Sequence, residues 1–95
     1  MKNSTSYLPI SEAKRRLPLP KLLERLGEGE LAKKSARCPF HEDRNNSFSV
    51  FQDRQGRWLW KCHAGCGCGD EISFIEKHQN LNRKNAITAY LKEAK

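Results

Sequence analysis

Apolar and polar positions change period several times along the chain, and each change marks an element. Residues 1–9 show no apolar periodicity and are expected to be a flexible leader. Ser11 can cap a short helix running to about Arg16, with Glu12 favourable in its first turn. Leu17-Pro-Leu-Pro20 ends that helix. Pro20 suits the first turn of a second one, Lys21 to Leu26, whose Leu22, Leu23 and Leu26 form an apolar stripe and which ends at Gly27. After a polar connector, Ser47-Phe-Ser-Val-Phe51 alternates as a strand does, and Arg57-Trp-Leu-Trp-Lys-Cys62 alternates again across the turn Asp53-Arg-Gln-Gly56. The pattern predicts a β-hairpin with Trp58, Trp60 and Cys62 on one face and Leu59 and Lys61 on the other. Asp70 is placed to cap a helix over Glu71–Gln79, with Ile72, Phe74, Ile75 and His78 near one face. Asn82 is placed to cap a last helix over Arg83–Ala94, whose apolar set is Ala86, Ile87, Tyr90 and Leu91.

Ninety-five residues with 37% hydrophobic and 31% charged positions leave little material for a core, so a staple is expected. The staple is either disulfides or a metal. The first residues contain no apolar run that would act as a signal peptide, and no stretch approaches a membrane span. A cytoplasmic protein with reduced thiols is therefore expected, which favours metal over disulfides.

Cysteine and histidine spacing sharpens this. Cys38-Pro-Phe-His41 is a C-x2-H pair, and Cys62-His-Ala-Gly-Cys66 is a C-x3-C pair twenty residues further on. Two short-spaced pairs joined by a hairpin are what a closed tetrahedral zinc site requires, and zinc binding supplies folding energy that a small chain lacks. Six candidate ligands lie between Cys38 and Cys68. The expected set is Cys38, His41, Cys62 and Cys66, with Cys68 as the alternate for Cys66, while His63 is too close to Cys62 to share its knuckle. Four protein ligands leave no open position for water, so one structural zinc is expected and no catalytic one. The N–H groups of the glycine-rich knuckle, Gly67 included, are candidates to hydrogen-bond the thiolates.

The net charge of +7 is uneven: residues 1–37 carry +5, residues 38–70 carry zero, and residues 71–95 carry +2. A basic surplus points towards nucleic acid. Lys14, Arg15, Arg16, Lys21 and Arg25 form a basic stretch in the N-terminal helical arm, residues 10–33, which either touches phosphate or completes the core as an amphipathic helix pair.

Taken together, Cys38-Pro-Phe-His41, Ser47-Phe48-Ser49-Val50, Trp60-Lys61-Cys62, Gly65-Cys66-Gly67, Gly69-Asp70 and Ile72-Ser-Phe74 resemble the Cys-His-Cys-Cys zinc finger of bacterial and phage DNA primases. The resemblance covers about residues 34–94. It implies a zinc ribbon that binds single-stranded template DNA, helps choose where primer synthesis starts, and works beside a primase catalytic domain, here on another chain. The family usually has Cys-Phe-Gly-Cys at the second knuckle and often Thr-Pro before the Ser-Phe pair. This chain has Cys62-His-Ala-Gly-Cys66 and Asn45-Asn46 at those places. The chain stops at Lys95, before any Toprim catalytic domain or helicase-docking domain, so it is not expected to polymerise alone.

The expectation is thus a small α+β zinc ribbon, an antiparallel hairpin with flanking helices around one structural zinc, with residues 34–95 as the finger. Its expected function is bacterial or phage-encoded, zinc-dependent binding of single-stranded DNA. Arg44, Arg57, Lys61, Trp58, Trp60, Phe48 and His63 are the candidate nucleic-acid contacts, because aromatic faces edged by cations stack bases and hold phosphates. Against this stands the need of the two C-terminal helices for a surface to cover, which favours the aromatic residues as core. The alternatives are a protein-docking zinc ribbon, suggested by the neutral middle segment, and a regulator that binds duplex DNA.

Overall fold

The computed structural model describes residues 9–33, 35–42 and 45–95. Residues 1–8 of the expected leader and the candidate contact Arg44 lie outside the described residues. Among the described residues, four helices pack with a three-stranded antiparallel sheet: α1 (Ile10–Arg16), α2 (Leu19–Arg25), β1 (Phe48–Gln52), β2 (Trp58–Cys62), β3 (Gly67–Gly69), α3 (Glu71–His78) and α4 (Arg83–Ala94). A 3-10 turn, Gly29–Leu31, follows α2 and buries Leu31 within the stretch expected to be a polar connector. The strand order is β1-β2-β3. Phe48 pairs with Cys62 and Gln52 with Trp58 in the hairpin, and Cys62 pairs again with Gly67 on its other side.

The helix ends follow their residues. Asp70 and Asn82 cap α3 and α4 by accepting from the backbone N–H groups of Ser73 and Asn85. Gly27, at φ +78°, follows α2 in the left-handed conformation that glycine tolerates. Ser11 is not a cap, because α1 begins one residue before it, after Pro9, whose extended backbone (ψ 147°) turns the chain into the helix. Likewise α2 starts at Leu19, with Pro20 in its first turn where the missing N–H costs nothing.

The third strand is a departure from the expected hairpin. Gly67-Cys-Gly69 continues the sheet because the second knuckle turns the chain back antiparallel to β2. Gly69 is required there: a Cβ on it would lie 1.8 Å from Ser73 Oγ. That close approach docks α3 on the sheet edge.

The inner face of the sheet presents Phe48, Val50, Trp60 and Cys62, all buried. Phe40 and Phe74 close over them, with Phe48 stacked on Trp60 at 5.6 Å and Phe40 at 5.4 and 5.3 Å from Trp60 and Phe74. The indole Nε1 of Trp60 donates to the Asp70 carbonyl and to Ser73 Oγ, so its polar atom is satisfied inside the core.

The N-terminal arm belongs to the same core, which runs from Ala13, Leu17, Leu19, Leu22 and Leu23 to Tyr90 and Ala94. The buried Tyr90 hydroxyl donates to the carbonyls of Leu17 (2.7 Å) and Ala13 (3.2 Å), satisfying the end of α1. Burial pushes the Tyr90 phenol well up, with Glu71 and Asp70 adding to the effect, so it stays a donor. Lys14 pairs with Asp70 at 2.7 Å, Arg15 and Arg16 with Glu12, and Arg25 with Glu93. Four of the five cations in the basic stretch are therefore ion-paired. Tyr90→Phe is expected to cost about 1–3 kcal/mol, because the Leu17 carbonyl is left buried without a donor. A thermal melt at fixed zinc should show a Tm lower by roughly 5–15 °C, and an unchanged Tm would contradict the role of this contact.

Candidate metal centre and nucleic-acid face

Two knuckles and the sheet between them bring four side chains to one point. Cys38 and His41 lie in the turn before β1, held by the bridge between Ala36 and Phe48. Cys62 ends β2, and the turn 62–65, closed by Gly65 N–H donating to the Cys62 carbonyl, delivers Cys66. One ligand atom from each of Cys38, His41, Cys62 and Cys66 lies within 4.8 Å of all the others. His41 turns Nδ1 toward Cys66 Sγ at 3.4 Å. Cys38 and Cys62 are buried, whereas His41 and Cys66 are half-buried.

The donor set fits a soft, tetrahedral cation. Zinc–sulfur bonds of about 2.3 Å make a tetrahedron with edges of about 3.8 Å, close to the size of this group. Electrostatics point the same way. Burial pushes the Cys38 thiol up to about 12, against the Phe40 N–H that donates to its sulfur at 3.4 Å. A buried thiolate there needs a cation to compensate it. Cys62 moves the other way: burial raises it, but the backbone N–H groups of Cys66 and Ala64 outweigh that and lower it. The backbone N–H groups of Phe40, Ala64 and Cys66 reach these sulfurs, and Gly67 pairs with Cys62 across the sheet. Cys68 is exposed, opposite Lys61 in the middle of β3, outside the group.

The sequence-predicted nucleic-acid residues divide between the two sheet faces. Phe48 and Trp60 are 0% and 1% exposed. Their expected use as stacking platforms does not survive that burial, because the α3 side of the core already occupies both rings. Trp58 shares their face but sits half-buried at the hairpin end. The opposite face carries Ser49, Phe51, Leu59, Lys61 and Cys68, none of them buried. His63, just past β2, is also exposed and meets Ser49 Oγ at 3.1 Å through Nε2. Lys61 is exposed in mid-sheet. Arg57 donates Nε to Asp53 at 2.8 Å across the turn. Phe51 and Leu59 pair across the strands on this face. The alternation of β2 had already put Leu59 and Lys61 opposite Trp60, and the register adds Phe51 and Ser49 to them.

His78 is no metal ligand here. It stacks on Phe74 at 5.4 Å and meets Glu28 Oε2 at 3.1 Å, tying α3 to the segment after α2. Glu71, almost fully buried, lies 3.7 Å from Lys14 Nζ. Burial raises its carboxyl, while the backbone N–H of Leu19 at the start of α2 works against that rise.

The family model described as the CHC2 zinc finger matches residues 23–95, about three quarters of the chain. Among curated proteins, the chain is 40% identical over 52 residues to a DNA primase of Mycoplasma genitalium, a match covering 55% of the chain and 8% of that protein. It is 43% identical over 54 residues to a DNA primase of Clostridium acetobutylicum, covering 56% and 8%. A DNA primase of Pseudomonas putida matches at 38% over 53 residues, again 56% and 8%. The matched stretch is thus less than a tenth of each relative's length. No solved structure gives a significant match. Family and donor set together point to a bound metal at this centre, and no helix among the described residues is long and apolar enough to cross a membrane.

Proposed function

Because the chain belongs to the CHC2 zinc-finger family, whose matched relatives are DNA primases, we propose that it is a single-stranded DNA-binding module of a primase-like replication system. Cys38, His41, Cys62 and Cys66 hold one structural zinc, bound in the reducing cytoplasm. The ion supplies no reaction step; it clamps the two knuckles so that β2 and β3 keep a fixed register. Residues 34–95 act as the finger and residues 10–33 as an arm docked on α4. Primer synthesis itself falls to a primase catalytic domain outside these residues.

The observation that carries this reading is the outer sheet face. Its mid-sheet cation, Lys61, lies opposite Ser49, beside exposed His63 and one pair away from the Phe51–Leu59 pair. A strand laid across it meets a positive charge and hydrogen-bonding groups for phosphate, with apolar side chains for base faces. Phosphate neutralisation makes single-strand affinity fall with salt, with a log–log slope of about 0.7 per contact. Lys61→Ala is therefore expected to weaken binding several-fold at low salt and to flatten the slope by about 0.7. Anisotropy titrations across a salt series measure both, and an unchanged slope would contradict this placement of the strand. The zero net charge of residues 38–70 favours one other reading, a protein-docking finger. A folded, zinc-loaded protein without DNA affinity would support it.

A further inference from the structure

We infer that the groove between α1 and the hairpin end is a second nucleic-acid subsite, which takes one nucleotide with its base stacked on Trp58. This inference rests on the single-strand reading above and extends it to a place away from the outer face. The groove has a volume of about 310 Å³ and is lined by Ser11, Lys14, Arg15, Arg57, Trp58 and Glu71. Trp58 is the half-buried member of the inner aromatic row: Trp60 is sealed by α3, whereas Trp58 at the last hairpin pair remains partly open.

Size and charge select the occupant. Small-molecule sites begin at about 300 Å³, so this groove has room for a single base. Its walls carry three cations and one acid, the buried Glu71. Lys14 is committed to Asp70 at 2.7 Å and lies 3.7 Å from Glu71. The side chains of Arg15 and Arg57 are 81% and 65% exposed, although each pairs with one acid, Glu12 or Asp53. Their guanidinium groups keep further donors for phosphate oxygens. An aromatic ring that lines a groove together with two exposed guanidinium groups is the combination that holds a base and its flanking phosphates.

The path is continuous. Arg57 and Trp58 are successive residues, and Leu59 of the outer face follows them, so a strand leaving the Phe51–Leu59 pair reaches the groove by passing the turn 53–57. Trp58 then anchors the strand where it leaves the sheet.

The test uses the zinc-loaded full chain carrying 5-fluorotryptophan, titrated with a short oligodeoxythymidylate. Two fluorine resonances are expected, assigned through Trp58→Phe. The Trp58 resonance should shift on DNA addition while that of the buried Trp60 stays in place. Trp58→Ala should lose about fivefold or more in affinity. Because that change removes packing as well, Ser11→Glu is the second variant. It puts an anion on the groove rim at an exposed first-turn position that suits acidic residues, and should weaken binding several-fold with an unchanged melt. DNA binding with a stationary Trp58 resonance and wild-type affinity in Ser11→Glu would overturn the subsite and leave the outer-face reading standing. Absence of any single-strand binding by the wild-type chain would overturn both.

Discussion

Cys38→Ser is expected to unfold the finger outright. The four ligand atoms lie within 4.8 Å of one another, so a metal bound there would tie the turn before β1 to the end of β2 and to the turn before β3. Structural zinc in finger peptides is worth about 10–16 kcal/mol, as much as the roughly 5–15 kcal/mol by which a small domain is stable. Losing one thiolate also leaves a buried hydroxyl among the remaining sulfurs. Zinc content should fall below one per chain, and the far-ultraviolet dichroism of the helices should largely disappear. A chelator should do the same to the unmodified protein. Cys68→Ser is the matched control: Cys68 is exposed in β3 and outside the group, so zinc content should stay at one and the melt within about 0.5 kcal/mol. The reverse pattern, with Cys68 essential and Cys66 dispensable, would overturn the ligand set.

The second large effect belongs to Trp60. Trp60→Ala is expected to cost about 3–5 kcal/mol, as other large-to-small aromatic changes in cores do. Its ring stacks on Phe48, meets Phe40 and Phe74 edge-on, and ties β2 to α3 through the Asp70 carbonyl and Ser73 Oγ. Denaturant titration at fixed zinc would show the loss as a lower midpoint. The result also separates core from contact. A DNA-stacking residue would lose affinity with stability intact, whereas Trp60 should lose stability first. Unchanged stability with weakened DNA binding would contradict its placement here.

How much of this was legible in the sequence varied with the range of the interaction. Asp70 and Asn82 announce α3 and α4 because capping is local chemistry between a side chain and an N–H three residues on. The clustering of Cys38, His41, Cys62 and Cys66 was legible for the same reason, since each knuckle is a short turn. Alternation along β2 told which residues share a face, but not which face is covered. That is decided by α3, and it sends Trp60 inward while Lys61 stays in solvent. The strand β3 was hidden because Gly-Cys-Gly has neither alternation nor branched side chains. It forms because Gly69 admits Ser73 and because Cys62 needs a partner on its second side. The docking of α1 was hidden too. It depends on Tyr90 reaching Leu17 across 73 positions, a contact no local pattern encodes.

The most direct test of the account is fluorescence anisotropy of the zinc-loaded chain against short single-stranded and duplex DNA, in a salt series, before and after chelation. The account predicts tighter binding to the single strand, affinity that falls as salt rises, and loss of both fold and binding when zinc is removed. Duplex preference, or single-strand binding that survives chelation, would contradict it.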